Sequence, residues 1–247
     1  MVCTHQLFAQ TTTPSTNKYF GIFLTGGRAP YLVTDHHIDF AYVDESPSRD
    51  NLQSSIDIEA QKQSTTLGVG LEYHSPKRFF VKAGFSGAIG QVRSSFLDIG
   101  MGYDLFGNEK VALRGGASMS FGAARIALGD VENNDLYIQV NTTKFYSESV
   151  SVDLSPRISL LRPEITFVTK KGRTRFMALL GYNLPTEEKK AVLYFDGKDE
   201  NDKQVSASES LNANNVYLEM DGKKIKDSFI KQGGLVLNVG LLFTLTK

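Results

Sequence analysis

Apolar and polar residues alternate with a period of two in eight segments of the chain. Because successive side chains of a β-strand point to opposite faces, each segment predicts a strand with one apolar face. Several segments are about 9–11 residues long, the length that a tilted strand needs to cross a bilayer. The eight segments are 19–26, 66–74, 79–89, 95–105, 111–121, 157–169, 174–184 and 235–245.

The connections between these segments alternate in length, except for a short link near 91–93 after the third segment. Tight turns are expected at 74–77, 106–108 and 170–172, whereas the long connections are 27–65, 124–156 and 185–233. In an up-and-down barrel, successive connections lie at opposite ends, so the tight turns share one end and the long loops share the other. This asymmetry is typical of outer-membrane barrels. The predicted fold class is an all-β, eight-stranded antiparallel up-and-down transmembrane β-barrel with both termini on the periplasmic side.

Two alternatives to this fold remain open. Ala191–Phe195 and Val216–Met220 form a predicted hairpin, which would give ten strands if it joined the wall. A soluble lipocalin-like carrier also alternates, but it would place its apolar face inward. The polar faces here are rich in Gly and Ser, which suit a narrow lumen better than a surface in water.

Composition and charge narrow the function classes. The 247 residues carry 27 basic and 27 acidic side chains, and this balance argues against a nucleic-acid partner. Cys3 is the single cysteine, which excludes a disulfide framework. Residues 1–18 are interpreted as a signal-peptide remnant or a disordered tail, and 19–247 as one barrel domain.

The charges separate along the predicted fold. The three long loops contain 22 acidic and 13 basic residues, so the predicted extracellular end is acidic. Charges inside a barrel persist only when they are paired, so a lumen network of ion pairs is expected. Around the turn at 106–108, Asp104 is predicted to face Lys110, with Asp98 diagonal to Arg114. The predicted network consists of Glu72, Lys82, Asp98, Asp104, Lys110, Arg114, Arg162, Glu164 and Arg175.

Aromatic residues recur on the outward faces near the tight turns. Such positions are typical of the aromatic girdle at a membrane interface. The predicted girdle residues are Tyr73, Phe79, Tyr103, Phe167 and Phe176.

The strand number, the loop asymmetry and two similar four-residue segments support a resemblance to a known family. Gly102-Tyr103-Asp104-Leu105 and Gly181-Tyr182-Asn183-Leu184 both lie on predicted membrane strands. From Tyr19 to Phe243 the chain resembles the small outer-membrane β-barrel family typified by the OmpA transmembrane domain and OmpX. The resemblance implies a protein of the bacterial outer membrane with lipid around its wall and a plugged lumen.

One constellation in the first long loop suggests chemistry. Asp35-His36-His37-Ile38-Asp39 could bind a metal, or could supply His36 or His37 to an acyl-transfer site with Asp35 and Ser46. Alternation places the two histidines on opposite faces, so one site cannot easily use both.

We expect no cofactor, no metal site and no catalytic residue. The predicted function is therefore non-enzymatic: a structural or surface-interaction role, with a protein or ligand bound at loops 27–65, 124–156 and 185–233. The alternatives are a barrel-embedded lipid-modifying enzyme and the soluble carrier.

Overall fold

The structure is a computed structural model that describes residues 18–30, 36–43, 51–59, 63–90, 92–133, 136–211, 213–225 and 233–245. Residues 1–17 of the predicted tail lie outside the described residues. Within these ranges the regular elements are all β-strands. In chain order they are β1 (Tyr19–Ala29), β2 (His36–Val43), β3 (Asn51–Ile58), β4 (Ser64–His74), β5 (Phe79–Ile89), β6 (Val92–Gly107), β7 (Val111–Glu132), β8 (Ile138–Val140), β9 (Thr143–Phe145), β10 (Ser149–Thr169), β11 (Thr174–Lys198), β12 (Gln204–Ser210), β13 (Val216–Met220), β14 (Lys223–Lys224) and β15 (Gly234–Thr244).

Eight of these strands close into an antiparallel barrel. Their order is β10-β7-β6-β5-β4-β1-β15-β11, and the pairing of β10 with β11 completes the circle. Each of the eight alternating segments lies on one barrel strand, so the predicted fold class is confirmed. The wall has eight strands rather than ten, because β12 pairs with β11 only from Val192 onward, beyond the barrel.

The barrel wall carries its apolar side chains on the outside. Phe85, Ile99 and Met101 are each about half exposed or more, whereas the residues between them face a lumen of small and polar side chains. The lumen is narrow: a Cβ added at Gly70 would collide with the ring of Phe23 and with Gly84. A soluble carrier would place this apolar face inward, so the outward orientation argues against the carrier alternative. No helix among the described residues is long and apolar enough to cross a membrane.

The tight turns lie at one end of the barrel, which we call the turn end; the opposite end is the loop end. β1 begins and β15 ends at the turn end, where Gly21 pairs with Thr244. In the β6–β7 turn, the carboxamide of Asn108 accepts hydrogen bonds from the backbone N–H groups of Lys110 and Val111. This geometry places the turn later than predicted, so Asp104 pairs with Arg114 and not with Lys110.

Beyond the barrel, β7, β10 and β11 continue and are joined by β12. A second sheet in the order β14-β13-β2-β3 covers them, and we call the two layers the loop-end sandwich. Its core joins Phe40 and Tyr42 of β2 to Phe195 of β11, with ring centroids 6.2 and 5.0 Å apart.

The predicted hairpin of Ala191–Phe195 with Val216–Met220 is wrong. β13 pairs with β2, with Leu218 opposite Phe40, while 192–195 pair with β10 and β12. Both segments are apolar and rich in strand formers, so sequence alone did not distinguish pairing with each other from packing in facing sheets.

Candidate functional site

The most chemically suggestive polar cluster lies on the outer face of β2 and β3. Along β2 the buried residues Ile38 and Phe40 alternate with exposed His37 and Asp39. The antiparallel register places His37 opposite Asp57 and Asp39 opposite Ser55. Period-two alternation on both strands therefore brings four polar side chains onto one small area of the sheet.

His37 lies at the centre of this cluster. Its Nδ1 is 2.6 Å from Oδ1 of Asp57, and its Nε2 is 3.1 Å from Oγ of Ser55. With the proton on Nδ1, the ring donates to Asp57 and accepts the hydroxyl hydrogen of Ser55. The backbone N–H of His37 also donates to Oδ1 of Asp221, at 3.1 Å. The order serine, imidazole and carboxylate is the arrangement that activates a hydroxyl nucleophile.

A second carboxylate changes the electrostatics of the imidazole. Oδ1 of Asp39 is 3.3 Å from Nε2 of His37. The hydrogen bond to Asp57, together with the negative charge of Asp39, raises the pKa of His37 above its ordinary value. His37 can accept a proton from Ser55 only when it is neutral, so the cluster is competent as a base above this raised pKa.

A shallow cleft of about 510 Å³ adjoins the cluster. Ser55, Asp39 and Glu219, which is opposite Asp39, line the part nearer His37, and Gln53 and Tyr217 line the part farther from it. The amide of Gln53 lies on the same face of β3 as Ser55, two residues away. A ligand in this cleft would therefore contact the serine hydroxyl, an amide donor and two carboxylates.

The structure tests only part of the acyl-transfer site considered from sequence. Asp35 and Ser46 lie outside the described residues, and the backbone of His36 pairs with Ile58. His37 is placed at the centre of the cluster, but Ser55 and Asp57 were missed. The alternation Gln53, Ser55, Asp57 was available in the sequence, yet 27–65 was interpreted as one irregular loop. Among the described residues, no group of three or more His, Cys, Asp or Glu residues could hold a metal ion.

The predicted lumen residues form two groups, of which the first lies near the turn end. Arg114 donates to Glu72 at 2.8 Å, to Asp104 at 3.0 Å and to the hydroxyl of Tyr19 at 2.6 Å. Tyr19 in turn donates to Glu72 at 2.6 Å. Arg114, Glu72 and Asp104 are all buried, so each charge in this group meets an opposite one.

A second group lies higher in the lumen. Glu164 accepts from Lys82, from Arg162 at 3.2 Å and from Ser118 at 3.0 Å. Asp98 lies opposite Ser120 and accepts its hydroxyl hydrogen, so it is not diagonal to Arg114 as predicted. The guanidinium of Arg175 stacks over the ring of Tyr19 at 4.3 Å, whereas Lys110 lies exposed in the β6–β7 turn.

Sequence reasoning missed His74, which it placed in the tight turn at 74–77. The structure places it at the end of β4, buried, with Nε2 3.1 Å from Oδ2 of Asp104 and its ring stacked on Tyr19. His74 has the same parity as Glu72, and this parity could have identified it as a lumen residue.

The predicted girdle residues all point outward near the turn end. Phe79 lies opposite Tyr103 on neighbouring strands, and Tyr73 lies opposite Phe20. Phe79, Tyr103, Phe167 and Phe176 are exposed, and Tyr73 is half-buried.

Comparison with known proteins finds a structural similarity but no sequence match. No protein-family model and no curated protein matches the chain. The crystal structure of the outer membrane protease OmpT from Escherichia coli is similar to 96% of this chain and to 99% of its own, with 6% identity and a TM-score of 0.36. The present barrel has the architecture of an outer-membrane β-barrel.

This comparison corrects one prediction. OmpT is a protease, which conflicts with the non-enzymatic function predicted from the sequence, and that prediction is withdrawn. The match assigns no activity to this chain.

Proposed function

We propose that this protein is an outer-membrane barrel with a site for acyl transfer or ester hydrolysis on its loop-end sandwich. The observation that carries the proposal is the continuous hydrogen-bonded series of Ser55 Oγ, His37 and Asp57 beside a cleft. Ser55 is the nucleophile, His37 is the general base, and Asp57 holds the tautomer that accepts the proton.

The reaction follows the positions of these groups. Oγ of Ser55 attacks the acyl carbonyl and forms the C–O bond, while its proton passes to Nε2 of His37. His37 returns this proton to the leaving alkoxide as the ester bond breaks. Water, deprotonated by His37, then attacks the acyl-serine and releases the acid, with the proton returned to Oγ of Ser55. The amide of Gln53 supplies a donor for the oxyanion.

The position of the site favours a lipid-like ester. Oγ of Ser54 donates to the carbonyl of Leu128 at 3.3 Å, and Leu128 is two residues beyond Ile126, which pairs with Val92 at the loop end of the wall. At roughly 3.3 Å per residue, Ser54 lies about 7 Å along the strand from that rim. Ser55 is adjacent to Ser54, and in the chain β3 precedes β4, whose first residue, Ser64, pairs with Ala29 at the end of β1. The site is therefore close to the rim. The polar cleft would then receive a headgroup, with the acyl chain directed toward the membrane.

The barrel is the support of this site in the proposal. In this proposal both termini lie in the periplasm, the loop end lies at the cell surface, and the turn-end aromatics lie at the periplasmic interface. The paired lumen charges act as a structural plug. The cavity of about 60 Å³ inside the wall is far smaller than a carrier needs, since ligand pockets are typically about 300–1,000 Å³.

The experiment compares Ser55→Ala with Ser54→Ala in the refolded full chain. Ser54 is the matched control, because it is the adjacent serine of the same strand and its hydroxyl bonds to Leu128. Hydrolysis of short and long p-nitrophenyl esters and labelling by a fluorophosphonate probe are measured, with the labelled serine located by mass spectrometry. We expect the Ser55→Ala rate to fall on the order of a thousandfold or more, and Ser54→Ala to retain the rate.

Two results would contradict the proposal. One is a folded native chain that cleaves none of the esters and takes no label at Ser55. The other is equal rates for Ser55→Ala and the native chain, which would assign any cleavage to a different group.

A further inference from the structure

A basic patch lies on the outer face of the wall at the loop end, away from the serine site. Arg93 of β6 and Arg125 of β7 are directly opposite each other in the register, and both are exposed. Arg157 of β10 lies opposite Ala123, diagonal to Arg125, and is also exposed. We call Arg93, Arg125 and Arg157 the arginine patch.

Like charges directly opposite on neighbouring strands destabilise a sheet. In the described part of the chain, the acidic group within ion-pair distance of the patch is Asp153, whose Oδ2 is 3.9 Å from Nη1 of Arg125. The charge of Asp153 also acts on Arg93, and Asp130 and Asp196 lie close enough to act on Asp153. Among the described residues, however, no carboxylate forms an ion pair with Arg93, and an anion between the two strands would supply that pair.

The guanidinium of Arg125 is held in a defined place. It lies over the ring of Tyr194 at 4.9 Å from the centroid, which leaves its edge free to donate. Arginine presents a planar fork of N–H donors that matches phosphate oxygens in pairs. Two such forks on facing strands can hold one phosphate between them.

The height of the patch on the wall indicates the source of the phosphate. Tyr103 of the predicted girdle and Arg93 lie on the same face of β6, ten residues apart. At roughly 3.3 Å per residue and a tilt of about 40°, they are about 25 Å apart along the barrel axis. This separation matches the apolar band of an outer-membrane barrel, which is about 25 Å tall. Leu97, Ile99 and Met101 fill the interval with exposed apolar side chains.

We infer that the arginine patch binds the phosphate of a lipid headgroup in the leaflet at the loop end. A phosphate-bearing lipid supplies the missing charge at that depth, while its chains cover the apolar band below. A free phosphate would supply the charge alone. This inference uses residues separate from Ser55, His37 and Asp57, and it stands whether or not the chain cleaves esters.

The test places the full chain in nanodiscs of phosphatidylcholine alone, or of phosphatidylcholine mixed equally with lipid A bisphosphate. Native mass spectrometry counts the lipid A retained after detergent release, and heat-modifiable gel mobility gives the unfolding temperature. The double variant Arg93→Gln with Arg125→Gln is compared with a control that removes two exposed cations at the turn end, Lys77→Gln with Lys171→Gln.

We expect the double arginine variant to retain lipid A about tenfold less well, because glutamine cannot replace the charge-assisted hydrogen bonds that each guanidinium donates to the phosphate. The native chain and the lysine control should keep the lipid and unfold at a higher temperature with lipid A than without it. Arg93→Lys with Arg125→Lys should retain an intermediate amount, because the charge remains while the paired donors are absent.

Three outcomes would overturn the inference. Equal retention by the double arginine variant would show that the patch does not hold the lipid. An equal decrease in the lysine control would assign retention to overall charge. Equal thermal protection by inorganic phosphate in phosphatidylcholine nanodiscs would assign the patch to a free anion rather than a headgroup.

Discussion

The strand β7 has opposite burial patterns in its two halves. Below Ala123 it buries the polar residues Arg114, Ser118 and Ser120 in the lumen and exposes Met119 and Phe121. Above Ala123 it buries Ile126 and Leu128 and exposes Arg125 and Ala127. The parity of inward and outward residues is unchanged across Ala123, so only the surroundings differ. Lipid around the lower wall accepts apolar side chains, whereas water around the sandwich requires them inside.

The two halves are consequently stabilised by different interactions. The lower half relies on buried ion pairs, for which the removal of one partner leaves an uncompensated charge. The upper half relies on apolar packing between sheets, for which the removal of a side chain leaves a cavity. Substitutions on the two halves should therefore differ in kind and can be measured on one protein.

The largest effect is expected from Arg114→Met. This change leaves Glu72 and Asp104 buried without their shared cation, which costs about 4 kcal/mol of the free energy of unfolding. Urea titration of the chain refolded in zwitterionic micelles measures it. Arg125→Met on the upper half of the same strand is the control, and it should cost less than about 1 kcal/mol, because its pair with Asp153 is half exposed. Similar decreases for both would remove the distinction between the halves.

Phe40→Ala should have a somewhat smaller effect, confined to the sandwich. Phe40 is buried between the two sheets, so truncation should cost about 3 kcal/mol. Hydrogen exchange should then show faster exchange in β2, β3 and β13, with β5 and β6 unchanged. Phe85→Ala, on the lipid face of the wall, is the comparison; faster exchange throughout the barrel in Phe40→Ala would mean that the two halves unfold together.

The smallest change concerns pH and leaves the fold intact. Because Asp57 and Asp39 raise the pKa of His37, the fraction of neutral imidazole rises only as the pH passes that raised value. Ester cleavage should therefore increase with pH, and its midpoint should lie above the ordinary pKa of histidine, about 6.5. Asp39→Asn removes one favourable charge and should shift the midpoint to lower pH without a decrease in the maximal rate. A pH-rate profile measures both, and a midpoint unmoved by Asp39→Asn would separate His37 from the reaction.

The barrel wall was predictable because the alternation that specifies each strand lies within that strand. Alternation in segments such as 79–89 and 95–105 identifies each strand, and the lengths of the connections indicate which end each belongs to. Parity also places Glu72, Asp104 and Arg114 on inward faces. Their partners were less predictable, since the carboxamide of Asn108 moves the turn and exchanges Lys110 for Arg114 opposite Asp104.

The loop-end sandwich was much less accessible from sequence. A bulge shows one reason: Gly129, with a φ of 108°, shifts the pairing between Val152 and Asp153, so the inward parity on β7 passes from Leu128 to Val131. A search for strict alternation ends at such a point, and the segments 124–156 and 185–233 were then interpreted as loops.

The sequence by itself determined the number of wall strands, the face that each strand buries and the separation of charge between the two ends. These properties follow from alternation and connection length, which each segment carries alone. Only the tertiary structure decided that β2 pairs with β3, which brings Ser55 and Asp57 to His37. It also decided the register of β6 against β7, which places Arg93 opposite Arg125. The physical reason is that strand register is fixed by turns, bulges and packing between distant segments, and a shift of one residue would turn each of these side chains to the other face.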